Sequence, residues 1–293
     1  MRLAGFVAAG LLGAMAVPIA FGQGAGFTPR KDAADVPSYE VIAIHKNKDA
    51  TQEGGIHEDP DGLRADATSL RSFISEAYGF SFVPLSDQQI LGLPSWAKTQ
   101  WFDVHGKVDA ADVEKLKSLT TTETMMVYVQ EMASRTTTPR MLMLQHLLED
   151  RFHLKVHYEQ RVMPVYEMTV AKGGVRMKVA HPADPEYGSI QTSYLQDGSV
   201  KLTGENVPLS LIALFLPTEP DIGRPVLDKT GAAGNYDFEL HWSDMGGSKD
   251  KGAGGPEASL FTAIQEQMGL KLTSAKGPAW VIVVDHAEMP SEN

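Results

Sequence analysis

Cysteine is absent from the whole 293-residue chain. This excludes disulfides, thiol nucleophiles, thiolate metal sites and a lipid anchored on an N-terminal cysteine; a chain that buries a large core does not need disulfides outside the cytoplasm. Cationic clusters are missing too. The 26 Lys and Arg stand against 37 Asp and Glu, a formal charge of -11, which repels nucleic acid and anionic headgroups. No His-Glu-x-x-His or Gly-x-Ser-x-Gly occurs, and neither Gly173-Gly174 nor Gly254-Gly255 opens a helix as a nucleotide loop does. Beyond residue 22 no apolar run approaches the roughly 20 residues of a membrane span.

The chain begins with an export signal pattern. Arg2 is followed by an uncharged run to Ala20, and Ala20-Phe21-Gly22 carries the small residues that a signal peptidase reads, which predicts cleavage before Gln23. The expectation is a signal peptide over 1–22, a flexible leader over 23–38, and a secreted or periplasmic mature chain with no integral membrane segment. The roughly 270 remaining residues exceed one typical domain. They divide into a first α/β lobe, 39–180, and a second, 181–293, with a Gly-rich loop at 243–257.

Helical periodicity and caps predict helices at about 69–78, 139–150, 208–216 and 258–268. Thr68 reads as an N-cap and Gly79 as a left-handed C-cap. Thr138 with Pro139 at the first helical position reads as another start. Strands are expected at Tyr39–His45, Gly62–Ala65, Trp101–Val108, Phe152–Tyr158 with Met163–Val170 as its hairpin partner, and Val200–Leu202. Further strands are expected at Pro225–Leu227, Asn235–Trp242, Leu270–Thr273 and, after a turn at Lys276-Gly277-Pro278, Trp280–Asp285. Residues 46–61 read as polar turns, and a second unit as beginning near Thr122. Three units repeat one plan: a short strand or loop, a compact helix, then a closing strand. The fold class is therefore α+β, built from repeated small helix-on-sheet modules rather than one doubly wound sheet.

Several runs carry a family likeness. Phe73-Ile74-Ser75-Glu76-Ala77-Tyr78-Gly79, Leu147-Leu148-Glu149-Asp150-Arg151-Phe152-His153-Leu154-Lys155-Val156-His157 and Pro164-Val165-Tyr166 are three of them. Arg224-Pro225-Val226-Leu227-Asp228-Lys229-Thr230-Gly231, Gly234-Asn235-Tyr236-Asp237-Phe238 and the run from Leu260 to Leu272 complete the set. Together they resemble the uncharacterised exported soil-associated proteins expanded in Acidobacteria, a domain of unknown function. That resemblance brings no activity and no functional residues. Some members lie beside or are fused to antibiotic-sensing metallopeptidases, which implies a sensory or binding role. Ala232-Ala233 stands where members commonly carry Leu-Thr. The helix-Gly-Leu-x-Leu cadence is also distantly similar to the small periplasmic modules of secretins and outer-membrane receptors, which bind partner proteins.

Candidate chemistry is sparse. His153 and His157, read as one strand face, lie about 13 Å apart and do not share an ion unaided. Asp103 with His105, and Asp237 with Glu239 and His241, form i,i+2 groups that suit either a divalent cation or plain surface polarity. Asp228-Lys229-Thr230-Gly231 reads as a ligand contact or a tight turn. Trp96, in a Pro-Ser-Trp loop, is the aromatic to watch as an exposed contact. No catalytic, cofactor-binding or metal-binding residue is assigned, and no cofactor is expected. Two functions stay open: a non-enzymatic extracytoplasmic protein binding an envelope protein, peptide or wall polymer, and a secreted hydrolase acting on a polymer through convergent carboxylates.

Overall fold

The structure is a computed structural model that describes residues 28–29, 36–79, 85–120, 136–181, 188–243 and 259–292. The expected signal peptide, most of the leader, the unit start near Thr122 and the Gly-rich loop beyond Ser243 lie outside the described residues.

After β1 (Thr28–Pro29), the first half contains β2 (Tyr39–Asn47), β3 (Ile56–Asp59), β4 (Gly62–Ser69), α1 (Leu70–Tyr78), β5 (Ile90–Leu91) and β6 (Trp101–Val108). It continues through α2 (Val113–Thr120), β7 (Thr136–Thr137), α3 (Pro139–Phe152) and the long β8 (Lys155–Val170). The second half contains β9 (Lys178–Val179), β10 (Ser189–Tyr194), β11 (Ser199–Pro208), α4 (Leu209–Phe215), β12 (Val226–Asp228) and β13 (Asn235–Ser243). It ends with α5 (Leu260–Ala263), extended by a π-helical turn at Ile264–Met268, and the long β14 (Leu270–His286). The protein is a mixed α+β fold with three four-stranded sheets and short helices among the described residues.

The halves share one topology. The first sheet has the order β2-β6-β4-β3 and the second β9-β13-β11-β10, with matching strands in matching places. A helix follows β4 and β11 without a loop. Both strands bulge just before it, between Ala65 and Thr68 and between Gly204 and Val207. Each bulge holds a non-glycine residue at positive φ, Ala67 at 44° and Asn206 at 53°. The third sheet, β12-β8-β14-β5, joins the halves reciprocally: β5 runs parallel to β14, and β12 parallel to β8. Each long strand follows a helix closed by a left-handed residue, His153 (φ 48°) or Gly269 (φ 70°), and a Leu-Lys pair.

Packing follows the exchange. Ile282 and Val284 of β14 enter the first core beside Ile44, Phe73, Phe102 and Phe152. Met168 of β8 enters the second, beside Leu202, Ile212, Leu240 and Ile264. Phe102 meets Phe152 edge-on at 5.4 Å between ring centroids, the favoured aromatic geometry. Serine and threonine caps start α1 and α3: Ser69 Oγ accepts from Ser72 N–H at 3.2 Å and Thr138 Oγ1 from Met141 N–H at 3.2 Å.

The main helices lie where periodicity predicts them, but six local expectations are corrected. Residues 155–170 form one strand, not a hairpin, and Lys276-Gly277-Pro278 lies inside a continuous β14 rather than in a turn. Backbone direction explains why the prolines do not break the ladder. Ile282 N–H donates to Gln89 O and Tyr166 N–H to Pro225 O, so even-numbered amides on both strands point away from the β8–β14 ladder. Pro164 and Pro278 occupy even positions and remove no donor from it. Residues 46–61 contain β3, paired with β4. Ser69, not Thr68, caps α1. Gly79 has φ -99°, so its requirement is space, since a Cβ there would overlap Ser75 O. His153 closes α3 in the left-handed region and precedes the strand, so it does not share a strand face with His157.

Candidate functional site

Edge strands are where a sheet offers unpaired backbone groups, and proteins guard them with charge, proline, bulges or brevity. The edges here differ sharply. β2 carries Lys46, is irregular between Tyr39 and Val41, and has Arg151 Nη1 donating to Ile42 O at 3.2 Å. β9, β5 and β12 have two, two and three residues. β3 has four, Ile56-His57-Glu58-Asp59, of which three are ionisable.

Arg140, one residue into α3 after Pro139, reinforces β3. Its Nε lies 2.8 Å from Glu58 Oε2, and Nη1 faces Asp59 O at 3.5 Å and Gly62 O at 3.4 Å. The approach to Glu58 is close but off-line, and Nε has no well-directed hydrogen bond. The group sits in a shallow cleft of about 360 Å³, open solvent included, lined by Tyr39, Glu58, Glu76, Thr138 and Arg140 among others. Burial pushes the Glu58 carboxyl above its usual range; Arg140 opposes this and Glu76 adds to it. Burial also raises the Tyr39 phenol. Glu58 thus serves as Arg140's counter-ion, leaving the cleft without two carboxyls poised as an acid–base pair.

β10 occupies the place of β3 in the second half. Ile56 opposes Ala65 as Ile190 opposes Gly204, which makes Gln191, Thr192 and Ser193 the counterparts of His57, Glu58 and Asp59. Every ionisable residue of β3 is replaced by a neutral one. β10 is also longer, with six residues, and contains no proline or bulge. Leu195 N–H donates to Ser199 O at 2.9 Å, and hydrogen-bonded pairs alternate along an antiparallel ladder. The N–H and C=O groups of Ile190, Thr192 and Tyr194 therefore point to the outer edge, where no described strand pairs. Tyr194 is 72% exposed and Leu195 40%. The arrangement can accept an extended backbone through three donors and three acceptors.

The residues singled out in the sequence fall elsewhere. Asp103 Oδ1 accepts Ala67 N–H at 2.8 Å, and both carboxylate oxygens face Asn47 Nδ2; His105 is exposed beside it. Asp237 accepts Asn206 N–H at 2.9 Å and meets Lys178 Nζ at 2.9 Å. Glu239 instead pairs with His241 at 2.7 Å and Lys201 at 2.5 Å. His157 Nδ1 lies 2.8 Å from Asp285 Oδ2. Among the described residues no three His, Asp or Glu side chains form a group that could hold a metal ion. Asp228 Oδ1 accepts from Thr230 N–H and Oγ1, and Gly231 has φ 63°, the geometry of a closed turn. Trp96 is half-buried, edge-on to Phe102 at 6.3 Å. Sequence reasoning missed β10, although Asp197-Gly198 between two β-forming runs is a hairpin signal; Gly198 has φ 81°.

A family described as Protein of unknown function (DUF3738) matches residues 71–287, and the chain belongs to that family. Neither the curated proteins nor the solved structures contain a match. Among the described residues no helix is long and apolar enough to cross a membrane, which says nothing of a β-barrel.

Proposed function

We propose that this is a non-enzymatic binding protein that works outside the cytoplasm and takes an extended segment of its partner as an added strand on β10. The observation that carries the reading is the contrast between equivalent edges: β3 is short and charged, whereas β10 is long, neutral and unpaired among the described strands. Natural edges left so open invite pairing. The export pattern over 1–22 and the likeness to exported soil-associated proteins support the address, and a peptide or an envelope protein suits the mode.

The hydrolase reading has one observation in its favour, the cleft where Glu58 and Glu76 both contribute carboxyls. Arg140 weighs against it by holding Glu58 as a counter-ion.

The test is capture of partners from envelope and secreted fractions by the wild-type chain and by Thr192→Pro. Thr192 N–H faces outward, so proline there blocks addition without breaking the β10–β11 ladder. Partners should be retained by the wild type and lost by the variant. They should slow amide exchange at Ile190, Thr192 and Tyr194. A parallel glycosidase, esterase and peptidase screen giving turnover that Glu58→Gln abolishes, with no edge-dependent partner, would reverse the choice.

A further inference from the structure

Resting on the strand-addition reading, we infer that the segment docking on β10 is basic, with a Lys or Arg opposite Thr192 and apolar residues two positions to either side.

The edge, unpaired among the described strands, is neutral, but its rim is acidic. Asp197 lies in the turn just beyond Tyr194 and Leu195, exposed, and Ser199 Oγ and N–H hold its carboxyl below the usual range. Glu205 is exposed directly opposite Ser189 at the other end of the strand. Glu219 stands behind the middle, its Oε1 accepting from Thr192 Oγ1 at 3.5 Å, and is only 5% exposed. Lys201, the nearby cation opposite Ser193, is taken up by Glu239 at 2.5 Å. Three carboxyl groups thus flank the ends and centre of the edge, on a chain of formal charge -11. Complementarity selects a cationic partner and speeds its approach.

Strand pleat then fixes the pattern. Residues of an added strand that oppose Ile190, Thr192 and Tyr194 share their face. Opposite Ile190, which is buried, and Tyr194, an apolar side chain extends an apolar surface. Opposite Thr192, a basic side chain falls beside Glu219. A second copy of the chain is a poor occupant, because antiparallel β10–β10 pairing would bring two such rims together and supply no cation.

The probe is a fluorescein-labelled heptapeptide alternating Thr with Val, Lys and Val, compared with its Glu-for-Lys twin by anisotropy on the full chain. The lysine peptide should bind at least about five-fold tighter, roughly the worth of one partly exposed ion pair, with the gap narrowing in high salt. Thr192→Pro should abolish binding of both peptides while leaving the far-UV spectrum unchanged. The combined variant Asp197→Asn, Glu205→Gln, Glu219→Gln should still bind but lose the preference. Equal binding of both peptides, lost in Thr192→Pro, overturns the basic partner and leaves strand addition standing. A preference that survives in the neutralised rim also overturns it. Failure of both peptides to bind, or binding indifferent to Thr192→Pro, removes strand addition and this inference together. A wild-type dimer that Thr192→Pro turns into monomers makes a second copy the occupant of β10 and overturns the basic partner, leaving strand addition standing.

Discussion

Asp103 and Asp237 do the same task in the two halves: each carboxylate accepts the backbone N–H of a residue held at positive φ in a bulge, Ala67 at 2.8 Å and Asn206 at 2.9 Å. The bulge ends a strand and aims the next helix onto its sheet. Asp103→Ala leaves the Ala67 donor and Asn47 without an acceptor in a half-buried setting and should cost about 1.5–3 kcal/mol. The expected readout is a drop of several degrees in thermal melting. Asp237→Ala should cost less, because its bulge donor Asn206 is less buried than Ala67. Two unchanged melts would mean the bulges hold themselves.

Gly204 and Phe238 stand opposite each other where the first half has Ala65 and Val104. A Cβ on Gly204 would overlap the Phe238 ring, so Gly204→Ala should destabilise the fold by about 1–3 kcal/mol, the cost of overpacking. Adding Phe238→Val restores the first half's pairing and should recover much of that loss. A double mutant no better than the single would show that the two sites do not share a packing solution.

His153 and Gly269 close equivalent helices in the left-handed region. A non-glycine residue there costs roughly 1–2 kcal/mol, part of which glycine gives back through unfolded-state entropy. His153→Gly should therefore raise stability by about 0.5–1 kcal/mol in chemical denaturation. Gly269→Ala should lower it by more, because its Cβ would also overlap Gly174 O.

Acid should unfold the protein through its paired surface carboxylates. Hydrogen bonding from Lys107 lowers Asp61, Lys98 and then Arg71 lower Asp87, the Asn206 amide and then Lys178 lower Asp237, and His241 and then Lys201 lower Glu239. Folded values below unfolded ones mean that these groups stabilise the native state above the ordinary carboxyl range near 4 and lose that contribution as pH falls through the folded values. Glu58 runs oppositely: its raised value means that protonation on the way down relieves the native state. Melting temperature should fall steeply below about pH 4. In Asp237→Asn the acid limb should be shallower, and an identical limb would remove Asp237 from the account.

Helices were legible because Leu70, Phe73, Ile74 and Ala77, or Leu144, Leu147 and Leu148, recur at helical spacing and all become buried. The long strands were not. Pro164, Pro278 and Gly277 are local turn signals, and only the neighbour across the ladder reveals that the prolines sit where no donor is needed. The repeated plan was visible in part, but not the exchange of β5 and β12 between halves, which is a long-range pairing. The candidate edge was the least legible: Ser-Ile-Gln-Thr-Ser-Tyr is bland, and its interest lies in being the counterpart of Ile-His-Glu-Asp, a relation that only the shared register shows.

The placement of Ile282 and Val284 in the first core has a consequence for how the chain is made. Synthesis delivers Phe73, Phe102 and Phe152 long before the strand that closes over them, so the first half waits with its apolar floor open until β14 has emerged. Such long-range closure is slow and exposes sticky intermediates. The N-terminal half made alone should stay soluble only with a holdase, and adding a separately made C-terminal half should rescue it by fragment complementation. Under the export proposed above, that delay would be an advantage, because the first core would stay open until β14 had crossed the membrane.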